Sequence, residues 1–229
     1  MSFSSEIKQE LSAHVPPARH CRLAEMAAIL NFCSRVESVE GESPCVKMHT
    51  ENLAVARKYF TLLKKTFNIE MNVSTRQSRN PRGSLSYEVT SFGGLEPVKH
   101  MLVQNQCCRR AYIRGAFLAS GSLSDPEKGY HFEIVCSGEE KADELREMLA
   151  SFGIDARITL RKRSYVLYVK EGSQIADLLN VMEAHVALMK FENVRILKEM
   201  RNSVNRQVNC ETANLNKTVS AAVKQIEDI

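Results

Sequence analysis

Two stretches of this chain follow one plan, and that duplication constrains the fold more than any other feature. Phe67-Asn68-Ile69-Glu70 is echoed by Phe152-Gly153-Ile154-Asp155, 85 positions on (67 to 152). Cys45-Val46 matches Phe132-Glu133 at an offset of 87 (45 to 132). Ala28 matches Gly115, and Ser34 matches Gly121, at that same offset. Solenoid repeats have periods of roughly 20–50 residues, so this spacing reads as a duplicated α/β unit.

The element order supports the duplication. In the first unit, Leu23, Met26, Ala27 and Leu30 recur at helical spacing between Arg19 and Asn31. Cys45, Val46 and Met48 then predict a short strand. Glu51 to Phe67 predicts a helix with Leu53, Ala56, Phe60, Leu63 and Phe67 on one stripe. Ile69, Met71 and Val73 alternate with polar residues, as do Leu85, Tyr87 and Val89, giving a hairpin closed by Ser78–Gly83. A helix is expected from about Leu95 to Gln104.

The second unit repeats the series. A small-residue helix runs from Tyr112 to Ser120, a strand from Tyr130 to Ser137 and a helix from Glu139 to Phe152. A hairpin spans Ile154–Leu160 and Tyr165–Val169, and a helix follows from Ser173 to Glu183. Before the first unit, Ile7 and Leu11 mark a short amphipathic helix stopped at Pro16-Pro17. After the second, a long helical stretch begins near Ala187, and Asn216 or Thr218 is expected to cap a last helix. The domains read as 1–18, an N-terminal helical arm; 19–105 and 106–185, the two halves; and 186–229, a helical lead-out.

Composition narrows the function classes. Lys and Arg number 31 against 27 Asp and Glu, a balance of +4 that permits an anionic partner without demanding one. The seven Cys lack the two-residue spacing of a zinc knuckle or redox dithiol, and the six His form no HExxH motif. The reading is therefore no metal, no cofactor and no small-molecule substrate, with the thiols, Cys107-Cys108 included, serving as small hydrophobes in a reduced cytoplasm. The N-terminus carries no apolar signal-peptide core, and no apolar run approaches the roughly 20 residues that span a bilayer. No membrane partner is expected.

The small-residue helices carry a resemblance. IRGAFLASG (113–121) resembles the LAGLIDADG helix of homing endonucleases, and LAEMAAILNFCS (23–34) resembles a degenerate first copy. SFSSEIKQEL, CCRRAYIRGAFLASGSLSDPEKGYHFE and NCETANLNKTVSAAVKQI resemble the bacterial WhiA family of sporulation and cell-division regulators, covering essentially the whole chain. The resemblance implies an α+β fold of two α-β-β-α-β-β-α halves. Two central helices lie side by side, and two four-stranded antiparallel sheets form a DNA-straddling saddle. It implies a DNA-binding transcriptional regulator of the nucleoid, acting in sporulation, cell division and chromosome segregation. Its partners would be double-stranded DNA and other transcription or cell-division proteins. Family members carry a helix-turn-helix domain after the NCETANLNKT segment. The sequence stops at Ile229, where that domain would begin, and no helix-turn-helix candidate is visible upstream, so the domain is expected to be absent.

The nucleases hold a divalent metal on an acidic residue near the C-terminal end of each central helix. The resemblance places Cys33 and Ser120 at those positions. Mg²⁺ takes hard oxygen ligands, so a thiol and a neutral hydroxyl make these positions degenerate, and no catalytic residue is expected. Asp125 and Glu37 lie close by and read as a turn residue and a solvated one.

Strand alternation assigns the open face. Ile154, Ala156, Ile158 and Leu160 are expected to face the helices, leaving Asp155, Arg157, Thr159 and Arg161 on the saddle side. The DNA-binding candidates are Lys47, Arg76, Arg79, Arg82, Arg157, Arg161, Lys162 and Arg163. Glu70, Glu88 and Asp155 would oppose them. Hairpin tips are charged in most soluble proteins, so no single Arg carries this reading; the excess of Arg over acid in the two loops does. A protein-interaction module that positions a separate DNA reader is the alternative, and an active metal-dependent endonuclease is the reading the sequence disfavours.

Overall fold

A computed structural model of the chain describes residues 2–37, 45–67, 71–77, 85–92 and 103–227. The expected helix at 95–104 falls mainly outside them, as do Arg79, Arg82 and Glu70. The chain divides into two compact units, Met1–Leu188 and Met189–Ile229.

The first unit opens with α1 (Phe3–Ala13), capped by Ser2, whose Oγ accepts from Ser5 N at 3.2 Å. Helix α2 (Arg19–Cys33) is followed by β1 (Ser34–Glu37), β2 (Cys45–Thr50), α3 (Leu53–Phe67), β3 (Met71–Gln77) and β4 (Leu85–Phe92). The second half repeats this with α4 (Gln106–Ser120), β5 (Gly121–Leu123), β6 (Phe132–Cys136), α5 (Glu139–Ala150), β7 (Arg157–Arg161), β8 (Ser164–Val169) and α6 (Gly172–Val181). Both sheets are antiparallel. Their orders, β1-β2-β4-β3 and β5-β6-β8-β7, are the same. The duplication read from the sequence is thus a duplication of topology.

Helices α2 and α4 pack side by side and parallel. Their N-terminal turns meet at His20, Cys21 and Cys108, and their C-terminal ends meet where Cys33 Sγ lies 3.4 Å from Ala119 O. Small residues allow this approach. A Cβ placed on Gly115 would stand 2.4 Å from Glu25 O and 2.8 Å from Ala28 Cβ. Ala28 and Gly115, matched across the repeat, therefore touch across the helix pair.

Each half has its own core. Met26, Ile29 and Leu30 of α2 pack with Met48, Tyr59, Leu62, Leu63 and Val89. Each such burial stabilises by roughly 1.5–3 kcal/mol. The buried face of α3 is Val55, Ala56, Lys58, Tyr59, Leu62 and Leu63, while Leu53 is exposed. The stripe expected from the sequence is thus rotated, because Lys58 lies inside and Leu53 stands in the helix's first turn. In the second half Phe117 stacks on Phe132 with ring centroids 5.4 Å apart.

The N-terminal arm is part of this unit. Ile7 and Leu11 are fully buried. The Glu10 carboxylate accepts from Val186 N at 2.8 Å and Ala187 N at 2.9 Å, satisfying the first turn of α7 (His185–Glu227).

In the second unit α7 continues without a break to Glu227. The expected cap at Asn216 or Thr218 is not there. Thr218 Oγ1 donates instead to Asn214 O at 3.0 Å, a bond back along a continuous helix. The short strands β1 and β5, which the sequence did not announce, directly follow α2 and α4.

Candidate functional site

The second sheet presents its open face through β6, β7 and β8. Phe132, Ile134 and Cys136 are buried, which turns Glu133 and Val135 outward. Leading into and along β7 the alternation holds through Ile154, Ala156 and Ile158 but fails at Leu160, which is 62% exposed. Among the described residues this edge strand pairs with β8 alone. The chain reverses over Lys162 and Arg163, with Lys162 at φ +59° and Arg161 paired to Ser164. Arg157, Arg161, Lys162 and Arg163 are all exposed along this strand and its tip.

A shallow depression of about 460 Å³ lies beside the tip, lined in part by His131, Glu133, Arg161, Tyr168 and Lys170. Glu133 organises it. Its carboxylate accepts from Ser122 Oγ at 3.1 Å, lies 3.2 Å from His131 Nε2 and pairs with Arg161 Nη1 at 3.6 Å. The His131 and Tyr168 rings lie 6.0 Å apart, and Lys170 Nζ sits 5.3 Å from the centre of the Tyr168 ring. Sequence reasoning named Arg161 but missed His131, Glu133, Tyr168 and Lys170. The outward alternation of β6 and β8 was the signal available for Glu133 and Tyr168.

On the first sheet, Lys47 lies in β2 opposite Arg35 and Thr90, and Arg76 lies in β3 opposite Ser86. His49 is exposed and opposite Glu88. The candidates among the described residues therefore belong to two separate sheets, with Arg157, Arg161, Lys162 and Arg163 as the compact group.

Cys33 and Ser120, the positions expected to be degenerate, lie at the adjoining C-terminal ends of α2 and α4. Cys33 donates to a backbone carbonyl, and burial pushes its thiol up to about 11, against a smaller opposing pull from Lys8. Ser120 Oγ is buried without a hydrogen-bond partner. Neither offers an anionic oxygen near neutral pH. Asp125 is a turn residue: its Oδ1 accepts from Glu127 N at 3.0 Å and its backbone oxygen from Lys128 N and Gly129 N. Glu37 lies in β1, opposite Cys45.

Two polar groupings along the central helices were not foreseen. Glu25, Lys58 and Arg114 are buried together. Glu25 Oε1 lies 3.1 Å from both Lys58 Nζ and Arg114 Nε, and Arg114 Nη1 reaches Glu183 Oε2 at 2.5 Å. Lys58 also donates to Leu11 O and His14 O. At the helix N-termini, one potential ligand atom from each of His20, Cys21, Cys107 and Cys108 lies within 4.8 Å of the others. The pairs are far apart in sequence and lack a motif spacing, so a search by motif passes over them.

Among the described residues no helix is long and apolar enough to cross a membrane. Comparison with known proteins places the geometry. The family model for the WhiA N-terminal LAGLIDADG-like domain matches residues 19–98, and that for the WhiA LAGLIDADG-like domain matches 109–201. The model for the WhiA C-terminal HTH domain matches 204–229, which overturns the expectation that this domain is absent. That expectation set the start of the domain at the last residue of the sequence, Ile229. The matched stretch is one continuous helix through Glu227, whose family signature lies in its residues rather than in a visible turn. The full-length DUF199/WhiA crystal structure from Thermatoga maritima matches with a TM-score of 0.82 at 22% identity, over 99% of this chain and 78% of that one. The homing endonuclease I-DmoI in complex with DNA and Mn matches at 0.53 and 13% identity, over 72% of this chain and 98% of that one, and shows the shared fold. A protein of Lachnoclostridium phytofermentans named "Probable cell division protein WhiA" is 54% identical over all of this chain and 80% of its own length. With that identity over that span, the chain belongs to the WhiA family.

Proposed function

We propose that this chain is a DNA-binding transcriptional regulator of the WhiA type, acting in bacterial cell division on a nuclease-like scaffold that does not cut DNA. The observation that carries the reading is the HTH-domain match at 204–229; the thiol of Cys33 and the hydroxyl of Ser120, at positions where the resemblance implies metal-binding carboxylates, support the non-cutting part. The curated relatives' name supports the process. Sporulation and chromosome segregation enter the proposal through the family resemblance, and the site of action is the nucleoid, in the cytoplasm.

In this reading the HTH segment supplies sequence readout. The open sheet face adds sequence-independent contacts from Arg157, Arg161, Lys162 and Arg163, which position phosphates without reading bases. The Arg161–Glu133 pair is exposed on the Arg side and worth at most about 1 kcal/mol, so phosphate can replace the carboxylate as a partner.

The combined change Arg157→Glu and Arg161→Glu is expected to weaken binding to non-specific duplex about tenfold or more at low salt. Each lost phosphate contact should also lower the slope of log affinity against log salt by about 0.9. A salt-titrated gel shift or anisotropy series checks this. Unchanged affinity and slope would remove the sheet face from the DNA interface.

A further inference from the structure

We propose that His20, Cys21, Cys107 and Cys108 form a zinc site that staples the N-terminal ends of the two central helices. His20 Nδ1 lies 3.1 Å from Cys108 Sγ, 3.3 Å from Cys21 Sγ and 4.0 Å from Cys107 Sγ. With Zn–S near 2.3 Å and Zn–N near 2.0–2.1 Å, tetrahedral ligands stand roughly 3.5–3.8 Å apart. The four donors already bracket that separation, so small rotamer changes suffice to close the shell.

The placement follows from the duplication. Residues 20 and 21 map onto 107 and 108 at the same offset of 87 that relates Ala28 to Gly115. Each half therefore contributes two adjacent ligands from the first turn of its central helix, and the helix pairing brings them together. Burial pushes the Cys21 thiol up to about 12 and raises that of Cys108, so it is the ion itself that must displace these protons. Cys21 and Cys108 are buried beside the small residues Ala24 and Ala111, while His20 and Cys107 are exposed and give an ion a way in. A purely hydrophobic role fits this set poorly, because an exposed imidazole converging on three thiols has no apolar task.

The donor chemistry selects the ion. Three sulfurs and one imidazole suit zinc and are poor ligands for Mg²⁺. Binding exchanges the three thiol protons for Zn²⁺, leaving the centre with one negative charge. Four protein ligands leave no open position, which makes the site structural rather than catalytic. It lies at the opposite helix ends from Cys33 and Ser120 and owes nothing to the nuclease positions.

The test uses the full chain, purified under reducing conditions, stripped with chelator and titrated with zinc alone. About one zinc per chain is expected by elemental analysis. Cobalt in its place should show the visible bands of a tetrahedral ion and thiolate-to-metal charge transfer in the near ultraviolet. His20→Gln and Cys107→Ser, both at exposed positions, should keep the helical circular dichroism and each weaken zinc binding at least about tenfold, since even outer-shell changes cost 10–100-fold. Cys33→Ser and Cys210→Ser should leave it unchanged. Sub-stoichiometric zinc, cobalt without tetrahedral bands, a Cys21–Cys108 disulfide surviving reductant, or full affinity in Cys107→Ser would each overturn the proposal.

Discussion

Gly115→Val will separate the central helices and lower the stability of the first unit by about 3 kcal/mol or more. Overpacking a core costs roughly 1–3 kcal/mol when side chains can yield. Here the obstacle is backbone: even a bare Cβ would stand 2.4 Å from Glu25 O. A carbonyl in the middle of α2 cannot rotate away, so the helices must move apart and every contact along the pair loosens. For a unit of this size each kcal/mol shifts Tm by roughly 2–4 °C, so a fall of about 6–12 °C is expected by thermal circular dichroism or calorimetry. Gly115→Ala should lie partway. Gly129→Ala is the matched control, because nothing lies within 4 Å of its built Cβ, and its change should stay within about 0.5 kcal/mol. A Gly115→Val protein as stable as the parent would mean the helices do not approach as described.

The second large effect is expected from Glu25→Gln. The change preserves shape and removes one charge. Glu25 is fully buried and is the carboxylate shared by Lys58, 1% exposed, and Arg114, 2% exposed. Arg114 keeps Glu183, but Lys58 loses its ion-pair partner and keeps neutral acceptors, among them the carbonyls of Leu11 and His14. Breaking one member of a buried ionic set costs roughly 3–5 kcal/mol, because the remaining charge stays desolvated and unpaired.

The loss should depend on pH in a definite direction. Burial already holds Lys58 below its ordinary value of 10.5, and Glu25 is the largest influence raising it. Without Glu25 the folded value drops further. Between the folded and unfolded values the unfolded chain binds more protons, so stability rises with pH. The Tm deficit of Glu25→Gln should therefore narrow as pH climbs toward 10.5. A deficit that stays constant or widens over that range would mean the lost charge pair is not what the substitution removes.

These two positions also show what could be read from the sequence. The duplication was legible because its offsets fall on small residues and on apolar alternation, and both are fixed by packing within each half. The match of Ala28 with Gly115 belongs to that offset, and the structure puts the two in contact. The ionic core was not legible, although Glu25 within LAEMAAIL and Arg114 within YIRGAFLAS were clues: a lone charge on an apolar helix implies a buried partner of opposite sign. Naming the partner needs three-dimensional proximity, since Lys58 comes from α3 and Glu183 from the link after α6.

The same limit governs the site. Exposed arginines on β7 and its tip could be read from period-two alternation, and the structure leaves them exposed. Leu160 escaped because alternation predicts a face and not whether a helix covers it. The His20, Cys21, Cys107 and Cys108 cluster escaped because metal motifs are sought within one local segment, whereas this one is completed across the repeat. Sliding the chain by 87 residues would have paired its members. The HTH segment was misjudged for a different reason. The domain was expected to begin where the sequence ends, and comparison with the family assigns residues 204–229 to it.

The central claim is that this scaffold binds duplex DNA and does not cut it. The most direct test incubates the full chain with supercoiled and linear duplex in Mg²⁺ or Mn²⁺, scoring retardation and strand breakage in the same samples. Salt-sensitive retardation with every strand intact is the predicted result. Metal-dependent breakage that disappears in Asp125→Ala would contradict it.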